Sequence, residues 1–208
     1  MTRPENPELR QTIIDITSEL VATEGIQAAT MRKIADRAGV SATTIYYYFG
    51  DRTRLFEAIK FDIIDRLVSY LDGRIDQTSP VVDQLVTLLR AFIDWYLENT
   101  NLAELLFEKL PANLDVTEEE MERYYRAQNY SVEIMTRAKE AGVITSPDVA
   151  LDASVALGAI YGIAKLVSEN RLPVRYWADP GSVIERTIEM VRTFMTNPNR
   201  DDTDQGGE

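Results

Sequence analysis

Thr30 to Phe49 reads TMRKIADRAGVSATTIYYYF, and its small and apolar residues recur where two short helices crossing tightly at a turn need them. Ile34, Ala35 and Ala38 share one face of a first helix, and Gly39 supplies the left-handed conformation that ends it. Val40 fills the turn. Ser41 is placed to cap a second helix, on which Ile45 and Phe49, four apart, point back at the first. Ala42, Thr43, Thr44, Tyr47 and Tyr48 then face outward. That face is narrow at its N-terminal end and rich in hydroxyls, which suits entry into the roughly 12 Å wide major groove of DNA.

The flanking sequence agrees with this reading. A helix from about Glu8 to Glu24, with Ile13, Leu20 and Val21 on its apolar side, ends at Gly25. After Phe49 comes GDRTRLFEAI, where Asp51 can cap a new helix that buries Leu55, Phe56 and Ile59. Together, Leu20 to Gly25, Thr30 to Gly39, the IYYYF run and GDRTRLFEAI resemble the N-terminal domain of the TetR family of one-component transcriptional regulators. The resemblance covers about residues 9 to 60. Beyond it the chain matches only in being helical and in the fragment AGVI followed by a polar turn and a long helix. Two positions depart from the family's habit: Arg52 stands where Lys is usual, which keeps a phosphate contact, and Tyr48 stands where His is common.

Composition narrows the chemistry. The 208 residues are 45% hydrophobic, enough for one or two domains with a core. Cysteine and histidine are both absent. No disulfide framework exists, and the usual general base, the Ser/His/Asp and Cys/His arrangements and the favoured zinc ligands are all missing. No glycine-rich phosphate loop is present, so neither an enzyme, a metal centre nor a cofactor is expected. The longest runs without a charge, Ala38 to Gly50 and Ala153 to Ala164, are short of the roughly 20 residues a membrane helix needs. With no apolar core for export in the opening MTRPENPE, the expected location is the cytoplasm, away from any membrane.

Net charge is −12, an odd value for a partner of a polyanion. Residues 1 to 60 carry eight Lys or Arg and eight Asp or Glu, so the acidic excess lies entirely in residues 61 to 208. Arg32, Lys33, Arg37, Arg52 and Arg54 fall on or beside the two short helices, while Glu8, Asp15, Glu19 and Glu24 belong to the preceding helix, which leaves a basic face available.

The expected fold is all-α: a three-helix helix-turn-helix domain over residues 1–50, a helical ligand-binding and dimerisation domain over 51–196, and a disordered acidic tail over 197–208. The period from Leu55 through Leu71 predicts a helix to about Asp76, joining the two domains. Pro80 opens another, ending near Asn99, and a shorter one runs from Leu102 to Leu110. Thr117 and Glu120 form a capping-box pattern for a helix that Gly142 stops. Ser146-Pro147-Asp148 opens a helix to about Asn170, with Ser146 read as its cap, and a last helix spans Gly181 to Met195. The small residues Ala153, Ala156, Gly158, Ala159 and Gly162 allow close approach of another helix, either within the chain or from a second copy.

The resemblance implies a homodimer through the last two helices, bound to a double-stranded DNA operator and controlled by a small-molecule effector. Two recognition helices in successive major grooves, about 34 to 36 Å apart, call for a palindromic or nearly palindromic operator. The DNA-contacting candidates are Thr30, Arg32, Ser41, Thr43, Thr44, Tyr46, Tyr47, Tyr48 and Arg52, with Tyr46 open between contact and packing. Candidates for the effector pocket are Phe92, Trp95, Tyr96, Phe107, Met121, Tyr124, Tyr125 and Tyr161, a set suited to a mostly apolar ligand and equally to plain core. Glu104 and Glu108 read either as an inward pair or as solvated, and Glu118 to Glu122 as an exposed helix start. Repression is the family's usual mode. The alternative is a helical ligand-binding or interaction module without DNA binding.

Overall fold

The computed structural model describes residues 6–108 and 116–197, so the expected tail and the end of the Leu102–Leu110 segment lie outside the described residues. Within those limits every regular element is helical: α1 (Pro7–Glu24), α2 (Met31–Ala38), α3 (Ala42–Phe49), α4 (Arg52–Arg74), α5 (Val81–Glu98), α6 (Thr100–Leu106), α7 (Glu118–Glu140), α8 (Val149–Ser168) and α9 (Gly181–Thr196), with single 3-10 turns at Ile26–Ala28 and Val174–Tyr176. The all-α expectation holds.

The chain forms two compact units. The first takes residues 1–66 and 99–124 and the second 67–98 and 125–208, so α4 and α7 each contribute to both. In the first, α1 packs against α2 and α6, and α2 against α3. Ile13, Leu20, Ile34, Ile45, Leu55 and Ile59 are wholly buried there. Glu57 and Lys60 are buried with them, 3.4 Å apart, and Lys60 Nζ also donates to the Glu108 carbonyl at 3.1 Å. Burial raises the Glu57 carboxyl above the usual carboxylate range, against the opposing pull of Lys60.

In the second unit α8 packs against α5 and α9. Ala153, Ala156, Ile160 and Ala164 line its inner side, where side chains of one or a few carbons let neighbouring helices come close. Among the described residues α8 alone makes a run long and apolar enough to cross a membrane by length and composition. Asp152 and Lys165 interrupt that run near its two ends. Asp152 is buried, and its carboxylate accepts a 2.5 Å hydrogen bond from the Ser146 hydroxyl.

Two element boundaries differ from the sequence expectation for local reasons. Asp148, not Ser146, caps α8, accepting from the Leu151 N–H, because Ser146 is turned inward to Asp152. α4 stops at Arg74 because Asp76 instead accepts both the backbone N–H and the hydroxyl of Thr78, folding the chain into a turn. The capping box at α7 forms as read: the Thr117 N–H reaches Glu120 Oε2 at 2.9 Å and the Glu120 N–H reaches Thr117 Oγ1 at 3.2 Å.

Candidate nucleic-acid interface

The turn between α2 and α3 is built by backbone geometry and two hydroxyl caps. Thr30 Oγ1 accepts from the Lys33 N–H at the start of α2. Gly39 at its end has φ 65° and ψ 29°, a left-handed conformation that costs an L side chain about 1–2 kcal/mol. Val40 N–H then returns to the Ala35 carbonyl, closing the turn at 3.0 Å. Ser41 caps α3 through the Thr44 N–H and shares a 2.9 Å hydrogen bond with the Thr44 hydroxyl. Ile45 and Phe49 are buried on the inner side of α3 as the spacing requires.

This fixes which side of α3 faces out. Thr43, Tyr46 and Tyr47 are exposed, the two tyrosines each at 47%. Ala42, Thr44 and Tyr48 are half-buried. The Tyr48 hydroxyl accepts the Asn6 N–H at 3.0 Å, and Asn6 in turn caps α1, so this side chain ties the end of α3 to the start of α1 while retaining its own O–H to donate. Tyr47 stands edge-on to Tyr48, ring centroids 5.4 Å apart. Asp51 accepts the Arg54 N–H at 2.8 Å and begins α4 as expected.

The cations are arranged differently from the basic face read in the sequence. Glu24, at the end of α1, binds both Lys33 and Arg37, the latter at 2.9 Å, and Lys33 first and foremost holds its carboxyl below the ordinary range. Arg54 reaches Glu120 at 3.5 Å. Arg52 lies over the Phe56 ring, 4.1 Å from its centroid, and donates to the Ile26 carbonyl at 3.3 Å. Arg32, like Thr30, is exposed. The carboxylates of α1 are thus not confined to a separate face. The Glu24 pairing spans a loop and carries no helical period, so only its place beside Gly25 hints at it.

The expected effector residues fall into both units. Phe107, Met121 and Tyr124 belong to the first, where Tyr124 packs against Phe61 with centroids 4.8 Å apart and Phe107 and Met121 are exposed. Phe92, Trp95, Tyr96, Tyr125 and Tyr161 belong to the second; Phe92, Trp95 and Tyr96 are buried, Tyr96 meets Tyr161 edge-on at 5.7 Å, and Tyr125 is exposed. The second unit encloses a cavity of about 30 Å³ whose walls include Leu71, Leu88, Phe92, Met135 and Leu157. Of the eight expected residues Phe92 alone lines it. Glu104 is exposed, and no cluster of metal-ligating side chains occurs among the described residues.

Residues 13–59 match the family described as bacterial regulatory proteins, tetR family. An uncharacterized HTH-type transcriptional regulator of Haemophilus influenzae is 30% identical over 118 residues, 55% of this chain and 62% of that protein, so the chain spans less than two thirds of its length. The HTH-type transcriptional activator FasR of Mycolicibacterium smegmatis is 29% identical over 190 residues, 88% of this chain and 80% of that one. A Rhodococcus sp. RHA1 protein of unknown function shares the fold at TM-score 0.77 and 22% identity, covering 94% of this chain and 100% of its own. RolR, solved with resorcinol, does so at TM-score 0.69 and 16% identity, covering 90% and 87%.

Proposed function

The chain belongs to the TetR family of bacterial transcriptional regulators, and on that premise we propose that it is a cytoplasmic, ligand-responsive repressor that binds a nearly palindromic operator as a homodimer. The observation that carries the proposal is the outer face of α3, where Thr43, Tyr46 and Tyr47 stand exposed beyond the Gly39 turn and the Ser41 cap leaves the helix N-terminus open to phosphate. Tyr47 takes the central base contact, Thr43 and Thr44 bond bases or backbone, and Thr30, Arg32 and Arg52 hold phosphates on either side. Residues 1–50 then serve as the DNA-reading domain and 51–196 as the effector and dimerisation domain.

Dimerisation uses α8 and α9. Leu151, Val155 and Leu166 on α8 and Met190 and Phe194 on α9 are exposed apolar side chains, and a Cβ added at Gly158 or Gly162 meets nothing, so a second copy has both a greasy face and room for close approach. The effector enters the second unit around Phe92. Ligand pockets hold roughly 300–1,000 Å³, so a cavity of about 30 Å³ must open to receive one. Opening displaces α4, which lines the cavity with Leu71 and begins at Arg52; the spacing of the two heads changes and the operator is released.

Fluorescence anisotropy on DNA from the protein's own promoter tests this. The wild type should bind in a sequence-selective, salt-dependent way, and Tyr47→Ala should lose binding while keeping its melting temperature. Retained affinity in Tyr47→Ala moves the reading surface elsewhere, and no promoter binding at all supports the helical module without DNA. A second sign of control follows from FasR, which is named an activator. Reporter expression from the same promoter separates the two, rising on gene deletion for a repressor and falling for an activator.

A further inference from the structure

We propose that the first unit carries a second small-molecule site, for a zwitterion of the amino-acid class, in an open cleft walled by the Glu57 carboxylate and the Arg10 guanidinium. The cleft has a volume of about 540 Å³, within the range of small-molecule sites, and lies wholly in residues of that unit. It is separate from the cavity around Phe92 and does not rest on the operator reading.

Glu57 is the anchor. It is only 4% exposed, it lines the cleft, and its Oε2 has no hydrogen-bond partner. Oε1 has Lys60 Nζ at 3.4 Å, and that ammonium is shared with the Glu108 carbonyl. Buried carboxylate oxygens are almost always met by a donor; Oε2 is unmet and closed to water, so a turn of the Glu57 carboxylate toward the cleft it lines offers this acceptor to an N–H from outside the chain. Arg10 supplies the complement. Its exposed guanidinium lies 4.9 Å from the centroid of the Phe49 ring, on the cleft wall. The other two lining arginines are engaged: Arg54 with Glu120 and Arg123 with Asp65 at 3.2 Å.

Charge balance selects the ligand. Three arginines around the cleft oppose a bare cation, and the carboxylates of Glu57, Glu119 and Glu120 oppose a bare anion. A molecule with an ammonium for Glu57 and a carboxylate for Arg10 satisfies both and adds no net charge.

Isothermal titration of the full chain, without DNA, with glycine, 4-aminobutyrate and 6-aminohexanoate, tests the proposal; hexanoate and hexylamine are the single-charge controls. At least one zwitterion should bind saturably, the controls about tenfold or more weaker, and both Glu57→Gln and Arg10→Ala should weaken binding about tenfold or more. Arg10 is exposed, so its variant decides the matter even where Glu57→Gln disturbs folding. The proposal is overturned by no saturable binding of any zwitterion up to about 10 mM, by controls that bind equally well, or by affinity unchanged in Arg10→Ala. Because no operator takes part, failure here leaves the regulator reading standing, and failure of promoter binding leaves this site standing.

Discussion

Each unit keeps a carboxylate in its interior, and each does so by different means. Glu57, in the first, is held beside the ammonium of Lys60, with one oxygen left unmet. Asp152, in the second, sits in the first turn of α8, where the helix dipole favours negative charge, and accepts a hydrogen bond from the Ser146 hydroxyl at 2.5 Å. The second solution is local in sequence: the hydroxyl donor lies 6 residues before the carboxylate. The first solution is tertiary, because Lys60 is steadied by a carbonyl 48 residues away. The surroundings follow suit. Around Phe92 the second unit has hydrocarbon walls and little empty volume, and its open cleft lies elsewhere, beside Asp72, Tyr130 and Arg137; in the first unit the buried carboxylate itself, Glu57, lines an open polar cleft. A cavity walled by hydrocarbon stores room for a ligand as potential packing change; one walled by charged side chains leaves the room open.

The sharpest way to break this contrast is Lys60→Met. Stranding Glu57 as a buried, unpaired charge should cost about 3–5 kcal/mol in urea unfolding near neutral pH. Because burial already raises the Glu57 carboxyl in the folded state, its protonation favours folding; the stability of the variant should recover as pH falls and be lost as pH rises through the folded pKa. Wild-type stability at both about pH 5 and about pH 7.5 would show that the pair contributes nothing.

In the second unit, Leu88→Ala removes a buried side chain that lines the cavity. It should cost about 3 kcal/mol by enlarging that void, with a pH profile parallel to the wild type because no charge is stranded. A loss below about 1 kcal/mol would mean that the wall collapses to fill the gap. The smallest effect is expected where structure is purely local: Ser41→Ala removes the α3 cap and should cost about 1 kcal/mol in thermal unfolding. A much larger loss would tie Ser41 into the tertiary core.

How much could be read beforehand follows the same division. The caps at Ser41, Asp51 and Thr117 and the stops at Gly39 and Gly142 form as read, since each involves atoms within about four residues, where chain geometry leaves few options. The same holds for the buried inner face of α3, which a period of four residues defines. The misread cap at α8 shows the limit. Ser146 and Asp148 are both good capping residues, and what chose between them was the burial of Asp152, which draws the Ser146 hydroxyl away.

The candidate site divides in the same way. Exposure of Thr43 and Tyr47 could be derived from periodicity, but the exposure of Tyr46, the tie of Tyr48 to Asn6 and the capture of Lys33 and Arg37 by Glu24 could not. Counting charges along the chain says how many cations a segment holds and not which of them are already paired. Aromatic residues at helical spacing likewise predicted a pocket without saying that Phe107, Met121 and Tyr124 belong to one compact unit and Phe92, Trp95 and Tyr161 to the other.

By itself the sequence determined the helices, the α2–turn–α3 element with its outward hydroxyl face, and with it the family resemblance, because these depend on backbone conformation and hydrogen bonds between near neighbours. Only the tertiary structure decided which charges are neutralised, where Glu57 keeps an oxygen unmet, and where empty space remains. Those properties depend on what packing brings together from distant parts of the chain, and no period in the sequence encodes that.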